Sequence, residues 1–180
     1  MKKIIINIIC LHALQTLVEL VLGHFLCGDN GGEELCSYID RVIAFERELR
    51  EQEPDTYYWE PDTAYRKLLE QSFEDERFRT ALSFLAVQDD KVIGRIDASL
   101  ISSRSDASCF SAYMDWICVL KSERHHKVGQ ALLSALREKC REQGVGVLIA
   151  LMANNKEAQR FYKSVENASM HDTGIWIEIP

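Results

Sequence analysis

Between Phe110 and Ala153 the hydrophobic pattern changes period twice, and this constrains the fold more than any other feature of the chain. Phe110–Leu120 is rich in aromatic and β-branched residues, which favour a strand. Val128, Ala131, Leu132, Ala135, Leu136 and Cys140 then recur at the period of a helix. Gly144 follows as a C-terminal cap, since glycine takes the left-handed conformation that ends many helices. Val145–Ala153 is an uninterrupted apolar run, which predicts a strand buried on both faces. The segment therefore reads strand, helix, strand.

The pattern extends in both directions. Ala158, Phe161, Tyr162 and Val165 mark one face of a short helix, with Asn154 and Glu157 spaced as a capping box. Ile175–Ile179 alternates as a final strand should. Upstream, Ser83–Gln88 and Lys91–Ile101 read as a hairpin turning at Asp89-Asp90, followed by a polar loop at Ser102–Ser108. Before them, Asp62–Phe73 reads as a short helix with Asp62 as its N-cap. Glu53–Pro61 is a loop whose run Tyr57-Tyr58-Trp59 suits a substrate wall. Glu33–Glu51 carries Leu35, Ile39, Val42, Ile43 and Leu49 among charges, as an exposed amphipathic helix does, and Gly28–Gly32 precedes it as a loop. The N-terminus reads as a strand at about Lys3–Ile9 and a helix at about His12–Leu26. The sum is an α/β (α+β mixed) chain with a mixed sheet and helices on both faces.

With 180 residues the chain is expected to form one domain, residues 1–180, able to bury a core without metals or disulfides. The formal charge of −7 argues against nucleic acid, whose phosphates call for clustered Lys and Arg. Met1-Lys2-Lys3 followed by Ile4–Leu11 is like the start of a signal peptide, but no small-x-small cleavage site follows. Glu19 also breaks the uncharged stretch before it reaches the roughly 18–20 residues that span a bilayer. Six cysteines, none in a CxxC pair and most within apolar runs, fit a reducing cytoplasm. No metal is expected: the histidines lack ligand spacing.

Chemistry concentrates at Val119–Leu133, where a strand passes through a turn into a helix. A helix begun this way offers free backbone N–H groups and the positive end of its dipole to an anion. Gly129 lets a phosphate approach closely, and Arg124 and Lys127 add charge. The same residues would also make an ordinary turn with solvated basic side chains.

The segment resembles the coenzyme A loop of the GNAT superfamily of N-acetyltransferases. That family has a Val ending a strand, then Arg or Gln, two variable residues, Gly, one variable residue, and Gly or Ala. Here Val119, Arg124 and Gly129 match, and Lys127 replaces the first Gly. The Lys is tolerable in a helical backbone and strained where φ is positive. The family's next motif is Asn, then Ala three residues later and Tyr seven residues later; Asn155, Ala158 and Tyr162 fit it, with Phe161 before the Tyr. Where the family has Gly-Phe, this chain has Glu166-Asn167.

The resemblance implies a mostly antiparallel central sheet, a cofactor-binding core at about residues 110–165 and acceptor-side elements at about 30–75. It implies acetyl-CoA as co-substrate and direct transfer of acetyl to a primary amine. Backbone groups at Ile117, Cys118 and Val119 would hold the pantetheine, and Arg124, His125, Lys127, Val128, Gly129, Gln130 and Ala131 the pyrophosphate. Asn155 would contact the cofactor arm, and Tyr162 would protonate the departing thiolate, although its place on the apolar face also suits a core aromatic. Asp115 is the candidate base or amine binder; simple alternation groups it with Tyr113, Ile117 and Val119, and the β-bulge common in the family would shift that phase. A nucleophilic role for Cys118 does not fit direct transfer. Glu46, Glu48, Glu51, Glu53, Asp55, Glu60 and Asp62 either favour a cationic acceptor, such as an aminoglycoside, a polyamine or a peptide amine, or form a solvated acidic face. A non-catalytic acyl-CoA-binding regulatory module is the rival reading, supported by Glu166-Asn167. The expected partners are the amine acceptor and conceivably a second copy, with no membrane or nucleic acid.

Overall fold

The computed structural model describes residues 5–10, 31–57, 59–102 and 110–171, with side chains from residue 37 onward apart from Phe110. The expected helix His12–Leu26, most of the loop Ser102–Ser108, the final strand Ile175–Ile179 and Tyr58 lie outside these residues. The strands are β1 (Ile5–Cys10), β2 (Ala81–Gln88), β3 (Lys91–Ser102), β4 (Phe110–Val119) and β5 (Val145–Ala150). The helices are α1 (Gly31–Gln52), α2 (Thr63–Ser72), α3 (Val128–Glu142) and α4 (Lys156–Lys163). The strands lie side by side in chain order, antiparallel from β1 to β4, with β5 parallel to β4. The sheet is therefore mixed and mostly antiparallel, as expected.

Local chemistry explains most boundaries. Asp62 Oδ1 accepts from Ala64 N and Tyr65 N, both at 3.0 Å, and so starts α2. Asp89 and Asp90 take positive φ (50° and 62°), as both central residues of a primed hairpin turn must. Gly144 has φ 74° just past α3, in the left-handed cap position. α1 begins earlier than expected, since Gly31 and Gly32 are already helical rather than part of a loop.

Helices cover both faces of the sheet because β3 alternates. Gly94 faces α3, and a Cβ there would lie 3.0 Å from Leu132 Cδ1 and 3.1 Å from Val128 Cγ1. The glycine thus lets the helix approach the sheet closely. Arg95, one residue on, faces α1 and bonds Glu46. Between these layers Val42, Phe84, Ile96, Leu120, Leu132 and Leu136 are fully buried. Each such side chain stabilises the fold by about 1.5–3 kcal/mol, so the core outweighs any polar contact. Among the described residues no helix is long and apolar enough to cross a membrane.

Two expectations are corrected. β5 is not buried on both faces and ends at Ala150 rather than Ala153. Val145, Leu148 and Ala150 join the core, whereas Val147 and Ile149 point away and are 51% and 45% exposed. An apolar run cannot distinguish one covered face from two. The cap of α4 is Asn155 rather than Asn154: Asn155 Oδ1 accepts from Ala158 N at 2.8 Å. Glu157 turns instead toward Arg160, at 3.1 Å.

Candidate active site

β4 carries a bulge that turns a carboxylate out of the expected phase. Asp97 pairs with Trp116 and Ala98 with Met114, which leaves Asp115 as the extra residue. Ile117 and Val119 pair with Ile96 and Gly94 on the α3 side, so alternation does not group them with Asp115. Asp115 instead sits with Ser99 on the α1 side, where the Ser99 hydroxyl donates to Oδ2 at 3.1 Å. Partial burial raises the Asp115 carboxyl above its ordinary value, Ser99 opposes this, and the charge of Asp97 adds to it. Cys118 is 4% exposed and its Sγ accepts from Trp116 Nε1 at 2.7 Å. Burial lifts this thiol well above the usual range, so it stays protonated and inert.

β4 ends at Val119, and a tight loop leads into α3. His125 and Lys127 both have φ 65°, so the loop alternates into the left-handed region twice. Lys127 is the N-cap of α3 and offers no side-chain cap. No backbone N–H from His125 to Gln130 has a hydrogen-bond partner among the described residues. Free donors in a loop that runs into a helix N-terminus are of the kind that can receive an anion. Exposed Lys121, His125, His126 and Lys127 belong to the same stretch. The donor set fits a pyrophosphate. The positive φ at Lys127 is the strained case that sequence left open. Lys127→Gly is therefore expected to raise stability by about 1 kcal/mol in urea unfolding; an unchanged midpoint would show that the strain is absent.

α4 packs against the start of α3. A Cβ on Gly129 would lie 3.2 Å from Phe161 Cε2, so this glycine admits the aromatic ring. Gln130 Nε2 donates to Ser164 Oγ at 3.4 Å, and His125 Nε2 lies 3.9 Å from Glu157 Oε2. Tyr162 stacks edge-on to Phe161 at 5.2 Å between centroids. It is half-buried, and burial pushes its hydroxyl up to about 12, which keeps it protonated and able to donate. Asn155 Oδ1 is committed to capping α4. The turn after α4 forms without glycine: Asn167 takes φ 63°, a conformation asparagine tolerates.

On the α1 face lies a buried polar node. Glu46 is 3% exposed and accepts from Arg95 Nη1 at 2.8 Å, Trp59 Nε1 at 3.2 Å and Tyr65 Oη at 3.2 Å. Arg95 Nε is 2.7 Å from Asp97 Oδ2, a charge pair whose N–H is not aimed at the oxygen. Asp97 also accepts from Ser83 Oγ. Burial raises the Glu46 carboxyl, and Arg95, Tyr65 and Trp59 oppose it. Trp59 in turn meets Trp116 at 5.1 Å and Tyr57 at 5.5 Å between centroids. Trp116 is the chain neighbour of Asp115, and Tyr57 and Trp59 join it in one aromatic cluster.

Val119, Arg124, His125 and Lys127–Ala131 thus lie between the end of β4 and the start of α3, and α4, which carries Tyr162 and is capped by Asn155, packs there through Phe161, Ser164 and Glu157. Asp115 belongs to the α1 face, linked to that loop by Ile117-Cys118-Val119. Residues 43–165 match the family model described as the acetyltransferase (GNAT) family. The chain belongs to the GNAT acetyltransferase family. No curated protein sequence matches it. In fold the acetyltransferase is similar to an aminoglycoside acetyltransferase from an uncultured soil metagenomic sample in complex with sisomicin, with TM-score 0.68, 13% identity and 98% and 97% of the two chains covered. It is also similar to AAC(6')-Iy in complex with the bisubstrate analog CoA-S-monomethyl-acetylneamine, with TM-score 0.61, 18% identity and coverage of 79% and 92%. A third is ribosomal-protein-alanine N-acetyltransferase from Brucella melitensis, with TM-score 0.60, 14% identity and coverage of 98% and 99%.

Sequence reasoning missed Arg95, Asp97 and Trp116, and set Glu46 among residues that might only form a solvated face. Glu46 falls in the helical stripe of Ile39, Val42, Ile43 and Leu49, and that spacing was the available signal. The i, i+2 spacing of Arg95 and Asp97 puts opposite charges on one face of β3 in this acetyltransferase, but their other partners, Glu46, Tyr65 and Ser83, come from α1, α2 and β2.

Proposed function

We propose that the chain transfers acetyl from acetyl-CoA directly to a primary amine, and that acceptor and cofactor meet where β4 passes into α3. The observation that carries this is the row of unpartnered N–H groups from His125 to Gln130, directly after the strand whose bulge presents Asp115. Acetyl-CoA supplies the acetyl group as a thioester when bound. His125, Lys127, Val128, Gly129, Gln130 and Ala131 hold its pyrophosphate, and backbone groups at Ile117, Cys118 and Val119 orient its pantetheine arm, with Asn155 nearby. Asp115 takes the proton that the acceptor nitrogen gives up as the new carbon–nitrogen bond forms. Tyr162 gives a proton to the sulfur as the carbon–sulfur bond breaks. The charges balance because each residue exchanges one proton with solvent afterwards.

Acceptor elements at about residues 30–75 and the cofactor core at about 110–165 form one domain in this reading. Asp115 on the α1 face, whose carboxylate has no cationic partner among the described residues, favours a cationic acceptor: an aminoglycoside, a polyamine or a peptide amine. Neighbours in fold include proteins named for aminoglycosides and for a ribosomal-protein alanine, and these acceptors head the panel to try. Cys118 and Cys140 are free and buried, which supports a reducing cytoplasm as the location.

The test is thiol release from acetyl-CoA across an amine panel, with product masses measured. Release with at least one amine supports the proposal; tight acetyl-CoA binding with no release from any amine would favour the regulatory module instead. Within an active pair, Asp115→Asn is expected to lower kcat about 100-fold and Tyr162→Phe about 10- to 100-fold, with acetyl-CoA affinity kept. The sign of the pH dependence follows from Asp115. A base works only when deprotonated, so kcat/KM rises with pH through its raised value, and that limb vanishes in Asp115→Asn. An unchanged profile would remove Asp115 from the reaction.

A further inference from the structure

The C-terminal end of α1 holds the cofactor loop from outside. Gln52 Oε1 accepts from Lys121 N at 2.7 Å. Glu53 engages Arg124 with both oxygens, Oε1 with Nη1 at 3.0 Å and Oε2 with Nη2. Arg124 Nε donates to Val119 O at 3.2 Å. The two side chains are 21% and 20% exposed, so the pair is largely shielded from solvent. Burial disfavours the Arg124 charge, and Glu53 more than offsets it. Each of the three guanidinium nitrogens thereby makes a bond within the protein, which uses three of the five N–H donors and turns the fork toward Glu53. The basic side chains left exposed in this stretch are Lys121, His125, His126 and Lys127.

We propose that Glu53 is a positioning residue for the cofactor: through Arg124 it sets the path of the loop whose N–H groups face the pyrophosphate, and Arg124 is a strut rather than a phosphate ligand. This rests on the acetyl-CoA reading above. A bidentate carboxylate–guanidinium pair fixes direction as well as distance, which a single hydrogen bond does not. Arg124 Nε on Val119 O carries that constraint to the end of β4. The loop can then hold two left-handed residues, His125 and Lys127, which a free loop would relax.

The proposal predicts a sign that charge alone reverses. Removing a carboxylate beside a polyanion site should strengthen binding if only electrostatics acts. As part of a strut, Glu53→Gln weakens it.

The experiment is calorimetry of acetyl-CoA binding to the wild type, Glu53→Gln, Arg124→Gln and the double variant, at low and high salt. Thermal unfolding of the same four proteins without ligand runs beside it. Each single variant is expected to bind about tenfold more weakly, a step of about 1.4 kcal/mol. The double variant should be no worse than Arg124→Gln in either measurement, because both changes break one pair. The salt dependence of binding should be the same in all four, since no phosphate contact is lost. Equal or tighter binding by Glu53→Gln overturns the strut, as do additive losses or a flattened salt dependence in Arg124→Gln. A wild type that binds no acetyl-CoA overturns the cofactor reading and the strut's purpose with it. The unfolding cycle then still decides whether the pair is coupled.

Discussion

Glu46→Ala is expected to destabilise the folded chain by about 3–5 kcal/mol, because it takes a counter-charge from a buried guanidinium and the acceptor from two neighbouring donors. Arg95 is held on the α1 face by Glu46 at 2.8 Å and by Asp97, and Glu46 is 3% exposed. Alanine removes one of two counter-charges and leaves Trp59 Nε1 and Tyr65 Oη without their acceptor. For a chain of this size each kcal/mol moves Tm by about 2–4 °C, so a fall of roughly 6–20 °C follows. Glu46→Gln keeps an acceptor for the neutral donors and should lose less. A double replacement, Glu46→Leu with Arg95→Met, should recover only part of the loss, since it removes that pair together but takes Arg95 from Asp97 and Glu46 from Trp59 and Tyr65. Urea unfolding of the three variants separates these outcomes. If Glu46→Ala costs under about 1 kcal/mol, water must solvate Arg95 and the node is not closed.

Gly129→Glu is expected to abolish measurable acetyl-CoA binding, a loss of at least about 100-fold. Two effects add. A carboxylate enters the row of N–H groups and competes for donors that would face the pyrophosphate. Its Cβ also meets Phe161 Cε2 at 3.2 Å, so the α4 ring must shift. Gly129→Ala carries the second effect without the first and should bind within about tenfold of the wild type. Calorimetry on both variants isolates the charge. Retained affinity in Gly129→Glu would remove the loop from the cofactor site.

What sequence made legible follows the range of each interaction. The strand–turn–helix at Val119–Leu133 is local, and its periods, its glycine and its basic residues stand in one stretch. The hairpin at Asp89-Asp90 and the Asp62 cap are local too, and both form. The bulge at Asp115 is different: an extra residue in β4 exists only relative to the register of β3, and alternation alone assigns the wrong neighbours. The burial of β5 failed for a related reason, since an apolar run does not say what lies opposite it. The Glu46–Arg95–Asp97 node joins α1 to β3 across long sequence separation. The position of Glu46 in an apolar stripe and the i, i+2 spacing of Arg95 and Asp97 were its local signals.

Glu53 also closes the loop that carries Tyr57 and Trp59. Its carbonyl accepts from Thr56 N and Tyr57 N, both at 3.0 Å, while its side chain holds Arg124. One residue thus borders both halves of the proposed site, with its backbone serving one loop and its carboxylate the other. For protein engineering this marks a boundary. Within residues 54–61 the exposed positions Asp55 and Thr56 are the ones to vary in a search for other acceptors, provided that Glu53, the two amides bonded to its carbonyl, buried Tyr57 and the Trp59 indole on Glu46 are kept.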